Sequence, residues 1–127
     1  MELNHEERSR LAVAIVRTLD DWGVGAAEQV ALIGLPENTR PREIMRYRRG
    51  TALPDEEDVI QRCQHIIGIH HALELLFAHN PKFPGLWVTD PANRHFDGSP
   101  VDVMLREGVE GMARVRRLLE RGSDYWD

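Results

Sequence analysis

The chain has 127 residues, 42% of them apolar, which suits one compact unit or a unit of two lobes. Its formal charge of −5 excludes a protein coated in positive potential, so any contact with nucleic acid has to come from a local basic patch. The single cysteine, Cys63, cannot form an internal disulfide, no apolar run approaches the ~20 residues that cross a bilayer, and Met1 to Glu7 lacks a signal peptide's basic-then-apolar pattern. The expectation is a cytoplasmic protein with no membrane contact.

Asn4 and Glu7 stand at capping-box spacing, and Leu11, Ala12, Ile15, Val16 and Leu19 recur at helical intervals, which predicts a first helix over residues 5–21. Its apolar residues Leu11, Ile15 and Leu19 offer enough surface for two neighbours, so a homodimer or a higher assembly is expected. Trp22-Gly23 closes this helix. Ala26 to Ile33 reads as a short second helix, with Val30 and Ile33 facing inward and Gly34 ending it. After a turn from Leu35 to Thr39, a third helix opens at Thr39 or Arg40, carries Pro41 in its first turn where the missing N–H costs nothing, and ends at Gly50.

Asp55 is the expected cap of the longest helix, with Glu56, Glu57 and Asp58 in the first turn, where the helix dipole favours negative charge. Val59, Ile66, Ile67, Ile69, Leu73, Leu76 and Phe77 carry it to about His79, and Asn80-Pro81 stops it. Residues 81–98 are expected as an ordered loop with one helical turn at Leu86 to Val88. Ser99-Pro100 reads as an N-cap followed by proline at the first helical position, starting a short helix to Arg106. Gly108 separates it from a last helix over Val109 to Arg121, whose stripe is Val109, Met112, Val115, Leu118 and Leu119. No segment alternates with period two, so the chain is expected to be all-α. The expected boundary is at residue 54, with a helix-turn-helix-like region before it and the long helix with a small helical domain after it.

Chemistry has little foothold. Cys63, His65, His70, His71 and His79 lie on or near one helix, but zinc on a helix usually draws ligands at i and i+4, and these intervals differ. Phosphate-loop, dinucleotide-fold, serine-hydrolase and zinc-protease signatures are all missing from the chain. Cys63 falls on an apolar helix side, where cysteine behaves as a small hydrophobe. No catalytic residue, metal or cofactor is expected. The basic patch is Arg40, Arg42, Arg46, Arg48 and Arg49, with Glu43 as the one acid among them. It reads either as a solvated helix face or as the DNA-contacting helix of a helix-turn-helix.

Two stretches carry a family resemblance. Trp22-Gly23, Leu32-Ile33-Gly34 and Arg46-Tyr47-Arg48-Arg49-Gly50, continuing into Arg62 and Ile69 to Phe77, resemble the N-terminal part of the Xre/MbcA/ParS-like antitoxins. The turn Leu35 to Arg42 is several residues longer than in a tight helix-turn-helix. More specifically, Trp87, Pro91, Asn93, Phe96, Gly98 and Pro100, followed by Val101 to Leu105 and the helix start Gly108-Val109, resemble that family's toxin-binding domain. The resemblance implies an antitoxin of a type II toxin-antitoxin system that neutralises a RES-domain toxin, an NAD-consuming or ADP-ribosylating enzyme, by blocking its active site, and that represses its own operon through operator DNA.

On that footing the toxin-binding residues are Trp87, Asn93, Phe96, Arg114, Arg117 and Arg121, joined by the tail residues Asp124, Tyr125, Trp126 and Asp127. Adjacent rings and carboxylates at a chain end suit insertion into a dinucleotide pocket. Taken singly, Trp87 and Phe96 read first as intramolecular core, and both readings hold together, because a rigid loop is what presents an interface. The DNA-binding residues are Arg40, Arg42, Arg46, Arg48 and Arg49. The alternatives are a free-standing helix-turn-helix transcriptional regulator and, further off, a small metal-dependent enzyme.

Overall fold

A computed structural model describes residues 2–122, and among them the chain forms α-helices, one 3-10 turn and no strand. The elements are α1 (His5–Asp21), α2 (Ala26–Ile33), a 3-10 turn (Pro41–Glu43), α3 (Ile44–Arg48), α4 (Glu57–Leu76), α5 (Phe83–Val88), α6 (Pro100–Glu107) and α7 (Val109–Gly122). The architecture is an all-α, multi-helix bundle in which α4 is the longest helix. It divides into two compact units, Met1–Gln64 and His65–Asp127. The division falls within α4, further along the chain than residue 54.

In the first unit α1 starts where its capping box dictates: the Asn4 side chain accepts from Glu7 N at 2.8 Å and Glu7 Oε1 accepts from Asn4 N at 2.9 Å. Ala12, Ile15, Val16 and Leu19 are fully buried. Ile15 and Leu19 are therefore spent on the unit's own core and offer nothing to a second copy, while Leu11 is half-buried. In α2 the buried position expected for Val30 belongs to Gln29, and Val30 is half-buried. The Gln29 Nε2 is satisfied by donating to Asp20 Oδ1 at 2.8 Å and to the Val24 carbonyl at 2.9 Å, while its Oε1 is buried with no hydrogen-bond partner among the described residues. Gly34 ends the helix at φ 80°, with Leu35 N donating to the Val30 carbonyl at 3.1 Å.

The third helix is split. Arg40 N donates to Glu43 Oε2 at 2.6 Å and Glu43 N to the Arg40 carbonyl at 2.9 Å. These bonds close a tight 3-10 turn through Pro41 before α3 begins. Asp55 is not the cap of α4: the helix starts at Glu57, its first bond runs from Ile60 N to the Glu56 carbonyl, and the Asp55 carboxylate lies 4.0 Å from Arg8 instead. Arg8 also donates to the Leu53 carbonyl at 3.0 Å, and Leu53 N returns a bond to the Arg8 carbonyl at 3.3 Å. That exchange fixes where the chain enters α4.

In the second unit α4 ends at Leu76, short of His79. The Phe77 and Phe83 ring centroids lie 3.9 Å apart with their planes tilted by 36°, and the chain between them turns through Asn80 N to the Phe77 carbonyl and Phe83 N to the Asn80 carbonyl. α5 is longer than the single turn expected, with Pro84, Trp87 and Val88 buried. Ser99 caps α6 by accepting from Asp102 N at 3.0 Å, and Asp102 reaches back to Ser99 N. α7 buries Met112, Val115 and Leu119, whereas Val109 and Leu118 are half-exposed at the rim of the stripe. Its partner is α6: a Cβ at Gly111 would sit 2.6 Å from the Val103 carbonyl oxygen, so only glycine lets the two helices come this close.

Candidate functional site

The residues expected to carry function lie in or next to the 3-10 turn and α3 of the first unit and, where they are described, on α5, the loop after it and α7 of the second. On the first, Arg40, Arg42, Arg46, Arg48 and Arg49 are all exposed, but they are not equivalent. Arg48 Nε and Nη2 clasp the Asp20 carboxylate at 2.9 and 3.0 Å, which joins the end of α3 to the end of α1. That hydrogen bond, opposed by partial burial and helped by Gln29, holds the Asp20 carboxyl below its ordinary range, and the same pairing pushes the Arg48 guanidinium up. Arg48 thus has a structural task. Arg46 Nη1 lies 3.9 Å from Glu43, a long pairing, and Arg40, Arg42 and Arg49 have no carboxylate partner among the described residues. Met45, between Arg42 and Arg46, is 47% exposed, high for a large apolar side chain. Arg40, Arg42 and Arg46 share the wall of a concavity with Asn38, Thr39 and Glu43.

On the second unit the loop after α5 is shaped by its own short polar residues. Ala92 N donates to Asp90 Oδ1 at 2.9 Å and His95 N to Asn93 Oδ1 at 3.0 Å. Trp87 and Asn93 are each only 8% exposed, so both brace the loop from within. Phe96 is half-buried, and the Arg114 guanidinium lies 5.5 Å from its ring centroid. Arg114 Nη1 also donates to both Glu107 carboxylate oxygens, at 2.6 and 2.7 Å, and Arg106 Nη2 donates to the Asp97 carbonyl at 3.2 Å. The loop is therefore clamped to α6 and α7. A shallow concavity of about 220 Å³ opens between Trp87, Asp90, Ala92, Asn93, Arg94 and His95.

Arg117 and Arg121 point to solvent on α7 with no carboxylate partner among the described residues. Arg94 belongs with them and was not among the expected site residues. Its only sequence signal is a lone cation inside the Pro91 to Phe96 motif. Asp124, Tyr125, Trp126 and Asp127 lie outside the described residues.

The helix of histidines assembles no metal site: among the described residues no three His, Cys, Asp or Glu side chains are placed to hold an ion. His65 Nδ1 faces Arg116 Nη1 at 3.5 Å, and burial first, then Arg116, depresses its pKa. His70 instead faces Glu74 at 3.7 Å. Cys63 is fully buried, which pushes its thiol up to about 12. A thiol so protonated is a core residue and no nucleophile. Among the described residues no helix is long and apolar enough to cross a membrane.

No model of a known protein family matches the chain. It is similar to the uncharacterized protein y4oB of Sinorhizobium fredii, 33% identical over 109 residues that cover 84% of this chain and 79% of that protein. Likeness at this level over most of both chains reflects common descent, and the chain belongs to the same family as y4oB.

Proposed function

We propose that the protein is a cytoplasmic antitoxin that binds a RES-domain toxin and silences its NAD-consuming or ADP-ribosylating activity by covering the active site. The observation that carries this reading is the clamped loop of the second unit. Trp87 and Asn93 brace it from inside, Arg114 pins Phe96 to α7, and Arg94 on the loop and Arg117 and Arg121 on α7 stay exposed. A loop ordered before binding loses little entropy when a partner closes on it, which favours tight association. The protein needs no chemistry of its own for this task and no cofactor.

The experiment is to co-express the chain with a RES-domain toxin from the same host and to follow cellular NAD and growth. Protection by the full chain, and its loss when residues 123–127 are removed while the complex still forms, supports insertion of Asp124, Tyr125, Trp126 and Asp127 into the toxin's pocket. Failure of the full chain to bind or protect overturns the reading. The second reading is a helix-turn-helix transcriptional regulator acting as a homodimer on operator DNA. It is favoured by the exposure of Met45 among Arg42, Arg46 and Arg49, since an apolar side chain flanked by guanidiniums suits a base edge between two phosphates.

A further inference from the structure

The turn between α2 and α3 does more than connect them. With the first residues of the 3-10 turn and α3 it borders an open concavity of about 360 Å³, lined by Asn38, Thr39, Arg40, Arg42, Glu43 and Arg46. Three arginines against one glutamate leave its wall at +2 (3 − 1), on a chain whose formal charge is −5. The one carboxylate is already engaged: Oε2 accepts from Arg40 N at 2.6 Å, and Oε1 is 3.9 Å from Arg46 Nη1. Neither Arg40 nor Arg42 has a carboxylate partner among the described residues.

Side chains of like charge gathered around one hollow repel each other, and a bound anion relieves that repulsion. No large apolar or aromatic residue lines the hollow, which disfavours an apolar ligand, and its charge disfavours a cation. Guanidinium forks match the spacing of phosphate oxygens, while the Thr39 hydroxyl and the Asn38 amide add neutral donors.

We infer that this concavity binds phosphate groups through Arg40, Arg42 and Arg46. The inference does not depend on the toxin reading, because none of these residues belongs to the second unit, and it goes beyond the regulator reading by giving the hollow a free phosphate-bearing anion to hold. One phosphate chemistry has two sources, a free polyphosphate anion and the backbone of duplex DNA, and a two-armed titration separates them. Inorganic pyrophosphate is titrated calorimetrically into the full-length protein at low salt, and a fluorescent 20-base-pair duplex is titrated by anisotropy over a series of salt concentrations.

Arg40→Ala, Arg42→Ala and Arg46→Ala should each weaken binding at least about tenfold, the loss of one charge-assisted contact. Arg17→Ala, an exposed arginine on α1, should leave it unchanged. In the DNA arm each lost contact should lower the log–log salt slope by about 0.9. Pyrophosphate binding that depends on the three arginines assigns the site to free polyphosphate when duplex does not bind, and to phosphate from either source when duplex competes. Duplex binding alone with the expected slope changes returns the arginines to the regulator reading and overturns the hollow as a site for a free anion. Wild-type protein that binds neither probe overturns the inference. So does binding that persists in an Arg40→Ala/Arg46→Ala double variant whose circular dichroism matches wild type.

Discussion

At the scale of single residues, the Asp20 carboxylate joins three helices of the first unit. It receives Arg48 from α3 and Gln29 from α2 at the end of its own α1. The hydrogen bond from Arg48 holds the carboxyl below its ordinary value of 3.8. The folded form therefore releases its proton at lower pH than the unfolded chain does. Its contribution is complete above about pH 4 and is lost as pH falls through the folded value. The Arg48 and Asp20 side chains are 46% and 37% exposed, so solvent screening limits the pair to about 0.2–1 kcal/mol. Asp20→Asn keeps an oxygen for Gln29 and should lose only that amount. Asp20→Ala also removes Gln29's acceptor and should lose about 1 kcal/mol more. Urea unfolding at pH 7 and pH 3 checks this, since the gap between wild type and Asp20→Asn should narrow at the lower pH. A gap of the same size at both values would mean that the charge plays no part.

At the scale of elements, two glycines inside helices look alike in sequence and behave oppositely in packing. A Cβ at Gly111 meets the Val103 carbonyl oxygen at 2.6 Å, which is backbone of α6 and cannot step aside. Overpacking of about 1–3 kcal/mol should outweigh the ~1 kcal/mol that alanine gains as a helix former, so Gly111→Ala should be destabilising. A Cβ at Gly68 meets only the Arg116 guanidinium, at 2.7 Å, the movable end of a long side chain. Gly68→Ala should therefore be neutral or stabilising by up to about 1 kcal/mol. Displacing Arg116 should also let the depressed pKa of His65 rise toward the ordinary histidine value, which proton NMR titration reads. Equal destabilisation by both substitutions would sink the distinction.

Element boundaries were legible where the signal is local. Asn4 with Glu7, and Ser99 with Asp102, satisfy each other within three residues, and α1 and α6 begin where those pairs stand. α4 was misread by a few residues at both ends: it starts at Glu57, with the Asp55 carboxylate near Arg8 instead of capping it, and it ends at Leu76, although Phe77 N still donates to the Leu73 carbonyl at 2.9 Å. The candidate site was legible as composition. The pairings that sort its residues, Arg48 to Asp20 and Arg114 to Phe96, span long sequence separations and leave no periodic trace.

At the scale of the whole molecule, α4 belongs to both units: Val59, Ile60 and Cys63 are buried before the division, and Ile66, Ile69 and Leu73 after it. Helix formation is cooperative, and interrupting one helix at its middle forfeits bonds on both sides of the break. The two units should therefore unfold in one transition rather than in sequence. Cys63 supplies a probe close to the division, because its thiol is fully buried and held protonated, with a pKa of about 12. At pH 8 it should react with a disulfide reagent only through opened molecules, roughly a thousandfold or more slower than in denaturant if the fold is worth about 5 kcal/mol or above. Trp22 reports the first unit and Trp87 the second, each isolated by changing the other tryptophans to Phe. Coincident urea midpoints for Cys63 labelling and the two fluorescence signals are the expected outcome. Separate midpoints would mean that α4 melts in halves, and labelling that runs ahead of Trp22 would place a local opening at the middle of the helix.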